Sequence, residues 1–214
     1  MNFLRKLLFP FSLLYGGITA FRNLLYNKGF LKSSTYDFPV ICVGNLSTGG
    51  TGKSPMIELL VSFLKDNHKI AVLSRGYKRK TSGYREVSTT NAVEEVGDEP
   101  LQFKKKFPEI AVAVCEDRRT GIEKLQNKAD VILLDDAFQH RKVKASLNIL
   151  LTSFDELYAD DCMLPTGNLR EPKFGAKRAD VIVVTKCPEN ISDITIEAIK
   201  RKLNPKPQQE IYFS

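Results

Sequence analysis

The residues best suited to chemistry lie in GNLSTGGTGKSP, directly after the apolar run PVICV (39 to 43). The core of this segment is Ser47, Thr48, Gly49, Gly50, Thr51, Gly52, Lys53 and Ser54. A bound phosphate needs several backbone N–H groups aimed at one point, and glycines let the chain close around it without side-chain clash. In that reading Lys53 reaches the β- and γ-phosphates of a nucleotide, and the Ser54 hydroxyl ligates Mg²⁺. Ser47 stands where the GxxxxGK[ST] pattern has its first glycine. A second signal, DVILLDDAFQH, puts Asp135 and Asp136 at the carboxyl end of an apolar run, where a Walker-B carboxylate meets the metal. Adjacent carboxylates repel unless a cation offsets them. The bland alternatives are a glycine-rich turn and a turn aspartate pair. Strand, loop, lysine and helix in the right order weigh against both and point to phosphoryl transfer from ATP with Mg²⁺.

These residues need elements to hold them. The runs PVICV, KIAVL (69 to 73), IAVAV (110 to 114), DVILL (130 to 134), LNILL (147 to 151) and DVIVV (180 to 184) are continuous rather than alternating. Such runs suit strands buried on both faces of a parallel sheet. Between them, Met56, Leu59, Leu60, Phe63 and Leu64 fall at helical spacing, and Ile196, Ile199 and Leu203 mark a second apolar stripe. The alternation predicts an α/β, three-layer P-loop NTPase-like fold with a mostly parallel sheet and ligands at the carboxyl ends of its strands. QEIYFS (209 to 214) reads as one further strand.

The bulk numbers are those of a globular protein: 214 residues, 43% hydrophobic and 27% charged, with no repeat. The net charge of +7 predicts attraction to phosphates, nucleic acid or anionic lipid without choosing among them. No RNA- or DNA-reading motif accompanies it, so nucleic-acid binding is not inferred, and neither is a protein partner. Four cysteines without a CxxC pair fit a reduced compartment and no zinc site. The N-terminal MNFLRKLLFPFSLLYGGITAF has the outline of a signal peptide. Its apolar stretch is broken by Pro10, Ser12 and two glycines and flanked by Arg5, Lys6, Arg22, Lys28 and Lys32. An uncleaved amphipathic segment lying on an anionic leaflet is therefore expected over 1–36, followed by the P-loop domain over 37–214.

In their order along the chain, VGNLSTGGTGKSP, LSRGYKRK, VGDEP, EDRRTGI, LLDDAFQH, LPTGNLREP and VVTK resemble the tetraacyldisaccharide 4′-kinases of lipid A biosynthesis across nearly the whole sequence. The resemblance implies transfer of the ATP γ-phosphoryl group to the 4′-hydroxyl of a tetraacylated glucosamine disaccharide 1-phosphate. It also implies Mg²⁺, and a place on the cytoplasmic face of the bacterial inner membrane, whose anionic surface is then a partner. Matched to the family's motifs, Asp98 is the acid/base for the acceptor hydroxyl, with Glu99 beside it; Lys53, Asp135 and Asp136 complete the catalytic set. Glu171 joins Ser54 and Asp136 as a metal residue, and Arg75, Arg118 and Arg170 contact substrate or phosphate. Bland alternatives stand beside these roles: Asp98 and Glu99 as caps of a helix through Leu101 to Phe107, Arg170 and Glu171 as a surface ion pair, His140 as a loop hydrogen-bonder. The basic run Arg75, Lys78, Arg79, Lys80 and Arg85 is equally a phosphate or headgroup site or a solvated face.

Two substitutions depart from the family's pattern. Ala137 and Lys78 replace glycines, which matters only where the backbone needs a positive φ. The family's chains also run longer and add a second lobe, not present in this sequence, whose histidine pairs with the catalytic aspartate; the histidines here are His68 and His140. A non-catalytic or regulatory P-loop protein at the membrane is the alternative reading. A GTPase would carry NKxD where this chain reads Thr185, Lys186, Cys187, Pro188, without the Asn and Asp that read guanine.

Overall fold

The computed structural model describes residues 3–214, so the first two residues of the expected N-terminal segment lie outside the described residues. The chain divides into two compact units. One contains the residues up to Lys32, Gly44–Gly52 and Asn148–Ser214; the other contains Ser33–Val43 and Lys53–Leu147.

The second unit is built on β1 (Val40–Asn45), β2 (Ile70–Ser74), β3 (Arg85–Glu86), β4 (Ala111–Val114) and β5 (Val131–Asp135), in the order β3-β4-β2-β5-β1. β1 pairs with β5, β5 with β2 and β2 with β4 in parallel, while the two-residue β3 runs antiparallel to β4. Every residue of β2 and β5 is buried, which is why these sequences are apolar without alternation. Helix α3 (Lys53–Leu64) follows the glycine loop and packs against β5. Further on, α4 (Val93–Val96) precedes α5 (Asp98–Lys106), and α6 (Arg118–Leu125) packs on β2 and β4. The approach of α6 is close enough that a Cβ on Gly121 would lie 2.6 Å from Leu73 Cδ2. Glycine is required there for packing rather than for conformation.

The face of α3 differs from the one the spacing indicates. Ile57 and Val61 are buried, whereas Leu59 and Phe63 are exposed, Phe63 at 71%. The segment MIELLVSFL is apolar on several sides, so its period identifies a helix without choosing which side turns inward.

In the first unit, α1 (Phe3–Lys6) leads into α2 (Phe9–Asn27). The parallel strands β6 (Leu147–Ser153), β7 (Val181–Thr185) and β8 (Glu210–Phe213) follow in that order, with α7 (Asp193–Leu203) between β7 and β8. Ser192 caps α7 by accepting from the Thr195 amide at 3.2 Å, and Asn204 closes it in the left-handed conformation. The apolar runs of the sequence thus all become strands, and the α/β, mostly parallel architecture is as expected.

α2 inverts the usual distribution. Its buried residues are Ser12, Thr19 and Asn23, and its exposed ones include Phe11, Leu14, Ile18 and Phe21, each above 60%. Pro10 sits in the first turn, where its missing N–H costs nothing, so the residues that break the apolar run do not break the helix.

Candidate active site

Asn45 ends β1, and the chain then turns through the glycine loop. Gly49 and Gly52 have φ of 129° and 85°, conformations that a side chain would strain. Within the first unit this loop is held on its flanks. Thr48 N donates to Asn168 O at 2.8 Å, Arg170 N donates to Leu46 O at 2.7 Å, and Ser47 bridges Leu169. Asn45 Nδ2 donates to Thr51 Oγ1 at 2.8 Å, and Thr185 Oγ1 donates to Thr51 O at 2.9 Å. The Lys186 ammonium lies 4.0 Å from where a Cβ on Gly50 would stand, which puts a second cation beside the loop. Sequence spacing gave Lys186 no task; its signal was its position directly after β7.

The second unit, taken by itself, holds the start of α3 and the ends of β2 and β5. Lys53 Nζ lies 3.9 Å from Asp136 Oδ1, and Ser54 Oγ donates to Glu99 Oε1 at 2.6 Å. Ser74, the last residue of β2, donates through Oγ to Asp135 Oδ2 at 2.7 Å. Asp135 is 1% exposed, and its Oδ1 has no hydrogen-bond partner among the described residues. Burial pushes its carboxyl up to about 6; repulsion from Glu99 and Asp136 adds to this, while the Ser74 hydroxyl and Lys53 pull the other way. Asp136 adopts φ of 47°, a region Asp tolerates better than most side chains. The positive φ in this turn therefore falls on Asp136 and not on Ala137, so the methyl at 137 is not a conformational burden. Lys78 does take a positive φ, 59°, so the lysine is strained where a glycine would not be.

Asp98 opens α5 after Gly97, which occupies the N-cap position, so neither Asp98 nor Glu99 is the capping residue. Asp98 is exposed and makes no hydrogen bond or ion pair among the described residues, while Glu99 turns to Ser54. His140 is held well below its ordinary value, to about 4, by burial first and then by the Arg118 and Arg75 charges. Its imidazole is therefore neutral at pH 7.

Three assigned residues have other occupations. Arg118 is 1% exposed; its guanidinium donates to Cys115 O at 2.5 Å and to Asp135 O at 3.3 Å. These two bonds secure the end of β5. Glu171 is fully buried, and its carboxylate accepts from Arg178 Nη1 and Nη2, both at 2.9 Å, and from Asn23 Nδ2 at 2.9 Å. Its ion-pair partner is Arg178, not the adjacent Arg170. Arg170 Nη2 donates to Asn45 O at 3.2 Å and also to Asn45 Oδ1. The basic run divides as well: Arg79 is bound to Glu116 and Arg85 to Glu95, whereas Arg75 is exposed and makes no ion pair among the described residues.

With this geometry in hand, the chain can be set beside known proteins. A family profile described as Tetraacyldisaccharide-1-P 4′-kinase, LpxK, matches residues 4–212. The tetraacyldisaccharide 4′-kinase of Flavobacterium johnsoniae is 57% identical over 217 residues, and that of Flavobacterium psychrophilum 56% identical over 220. Each alignment covers 100% of this chain and 64% of the relative, so the chain spans less than two thirds of the length of those relatives. The relative from Parabacteroides distasonis is 53% identical, with 98% of this chain and 58% of its own length aligned. Among solved structures, that of LpxK from Aquifex aeolicus in complex with ATP is 35% identical with a TM-score of 0.80, covering 98% of this chain and 82% of that one. The match reaches from α1 to β8 and includes the glycine loop, the paired aspartates after β5 and the acidic start of α5: this chain belongs to the tetraacyldisaccharide-1-P 4′-kinase family.

Proposed function

We propose that this chain binds ATP with Mg²⁺ and transfers the γ-phosphoryl group to the 4′-hydroxyl of a tetraacylated glucosamine disaccharide 1-phosphate, at the cytoplasmic face of the bacterial inner membrane. The observation that carries the proposal is the start of α3, where Lys53 stands by Asp136 and Ser54 bonds Glu99. ATP is the nucleotide in the Aquifex aeolicus LpxK structure.

The residues present suit Mg²⁺. Ser54, Glu99, Asp136 and the unpartnered Asp135 Oδ1 offer only hard oxygen donors. Among the described residues no three His, Cys, Asp or Glu side chains gather into a metal cage. Mg²⁺ does not need one, since it is commonly held by one or two carboxylates with water and substrate phosphates filling its shell. When bound, it neutralises charge on the phosphate oxygens. The protein's own groups do the rest. The Lys53 ammonium and the loop amides hold the phosphates, and the exposed Asp98 carboxylate receives the acceptor hydroxyl proton. A loose phosphoryl transition state asks for positioning and electrostatics more than for covalent help. The test is a pair of variants assayed for ATP binding and for turnover. Lys53→Ala abolishes turnover and greatly weakens ATP binding; Asp98→Ala abolishes turnover with ATP binding retained. Near-normal turnover in Asp98→Ala removes its role.

A membrane surface is supported by α2, whose exposed side chains are apolar along most of its length. Burying each Leu- or Phe-sized side chain is worth about 1.5–3 kcal/mol, enough in sum to hold a helix in a bilayer interface. No helix among the described residues is long and apolar enough to cross a membrane. Replacing Phe11, Leu14 and Ile18 with Glu is expected to abolish co-sedimentation with anionic vesicles while leaving ATP affinity unchanged. Undiminished sedimentation of this variant would remove α2 as the anchor.

A further inference from the structure

A loop made largely of glycine and small residues has no shape of its own. Gly49 and Gly52 supply the conformations that aim amides inward, yet the same freedom lets the loop collapse or splay. Something outside the backbone must select one arrangement. On one side the loop is spliced to residues 168–170, through Thr48 N to Asn168 O and Arg170 N to Leu46 O. Those contacts fix its ascending limb. Its far limb, at Thr51, is held by two side chains: Thr185 Oγ1 donates to the Thr51 carbonyl, and the Asn45 amide, from the base of the loop, donates to the Thr51 hydroxyl.

Asn45 is fully buried at the end of β1. Its Nδ2 donates to Thr51 Oγ1, and its two oxygens, backbone and side chain, accept from the same Arg170 nitrogen. The guanidinium thereby dictates which end of the Asn45 amide faces it, since only the carbonyl end can accept. The NH₂ end is left to face Thr51. Arg170 is in turn set by α2, for Tyr15 Oη donates to Arg170 O at 3.0 Å.

We propose that Asn45 is a positioning residue for the phosphate loop, and that Arg170 acts on the nucleotide through Asn45 rather than by touching a ligand. This rests on the reading of the loop as a nucleotide cradle. A preorganised loop binds phosphate without first ordering itself, so losing the brace lowers affinity without removing any group that touches the nucleotide.

The test is calorimetric titration of the chain with ATP and Mg²⁺, with thermal melting of each variant as the check on folding. Wild-type binding comes first; its absence overturns the nucleotide reading itself and is distinguishable from a failure of the brace, which shows only in the variants. Thr51→Val, which keeps the side chain's shape and loses the acceptor, is expected to weaken ATP binding roughly five- to tenfold, the scale of one hydrogen bond. Thr51→Ser, which keeps the hydroxyl acceptor, is expected to recover most of the affinity that Thr51→Val loses. Asn45→Asp keeps the acceptor for Arg170 and loses the amide donor, but the Thr51 hydroxyl can donate to the new carboxylate, so its loss is expected to be no larger than that of Thr51→Val. The double variant Asn45→Asp/Thr51→Val is expected to bind no more weakly than the worse single one. Arg170→Ala is expected to weaken ATP binding by a similar factor, non-additively with Asn45→Asp. Three results would overturn the inference: unchanged affinity in Thr51→Val, additive losses for Asn45 and Arg170, or an Arg170→Ala effect confined to the KM of the lipid acceptor. Should Asn45→Asp fail to fold, the contrast between Thr51→Val and Thr51→Ser still decides the first point.

Discussion

Among the described residues each unit buries one carboxylate, and the two are treated in opposite ways. Glu171 is met by both terminal nitrogens of Arg178 and by Asn23. Asp135 is met by one neutral hydroxyl, with like charge from Glu99 and Asp136 nearby and an oxygen left over. A buried charge with a well-aimed guanidinium is a structural fixture, costly to break. One held by a single hydrogen bond is a burden on the fold when it is ionised. Burial alone therefore does not distinguish a functional carboxylate from a structural one; the count of donors does.

The largest expected effect lies on the satisfied side. Glu171→Ala strands the Arg178 guanidinium and the Asn23 amide, and unfolding in denaturant should register a loss of about 3–5 kcal/mol. A loss below ~1 kcal/mol would mean that the pair contributes no more than a surface salt bridge and that the contrast is false.

Asp135→Asn should move stability the other way. The folded-state carboxyl is raised, so its relative contribution is fully present below the unfolded value of 3.8 and is lost as pH rises through about 6. Above that range the ionised group is a burden that asparagine does not carry. Without ligand at pH 8 the variant should be more stable by about 2 kcal/mol, and at pH 4 by almost nothing. Magnesium-dependent nucleotide binding should fall at the same time, since stability and function are opposed at such a site. A variant less stable than wild type at pH 8 would refute the account of Asp135 as strained.

The smallest effect comes from Ser74→Ala, which removes the one hydroxyl that lowers the Asp135 value. Stability should drop by about 1 kcal/mol at pH 8, and the titration of Asp135, followed by NMR, should move further above 6. An unmoved titration would take Ser74 out of the site.

The strands were legible because each buried run is apolar without interruption, and the glycine loop was legible because few other segments place GTGKS between a strand and a helix. Other features were not. The inward side of α3 eluded the spacing, because Met56, Ile57, Leu59, Leu60 and Val61 leave no polar face to mark the outside. The two-residue β3 carries no period at all. The burial of Arg118 was not legible either, because an arginine's burial cannot be read from its neighbours in the chain.

The sequence by itself determined the order of strands and helices, the loop that cradles phosphate and the pair of aspartates after β5, all of which depend on residues close together in the chain. Only the tertiary structure decided that Glu171 is held by Asn23, 148 residues earlier, and that Ser74 meets Asp135 across 61 residues. It alone showed that α2 turns its serine, threonine and asparagine inward. The physical reason is that hydrogen-bond satisfaction of a buried group depends on what folding brings beside it, and local pattern carries no record of that distance.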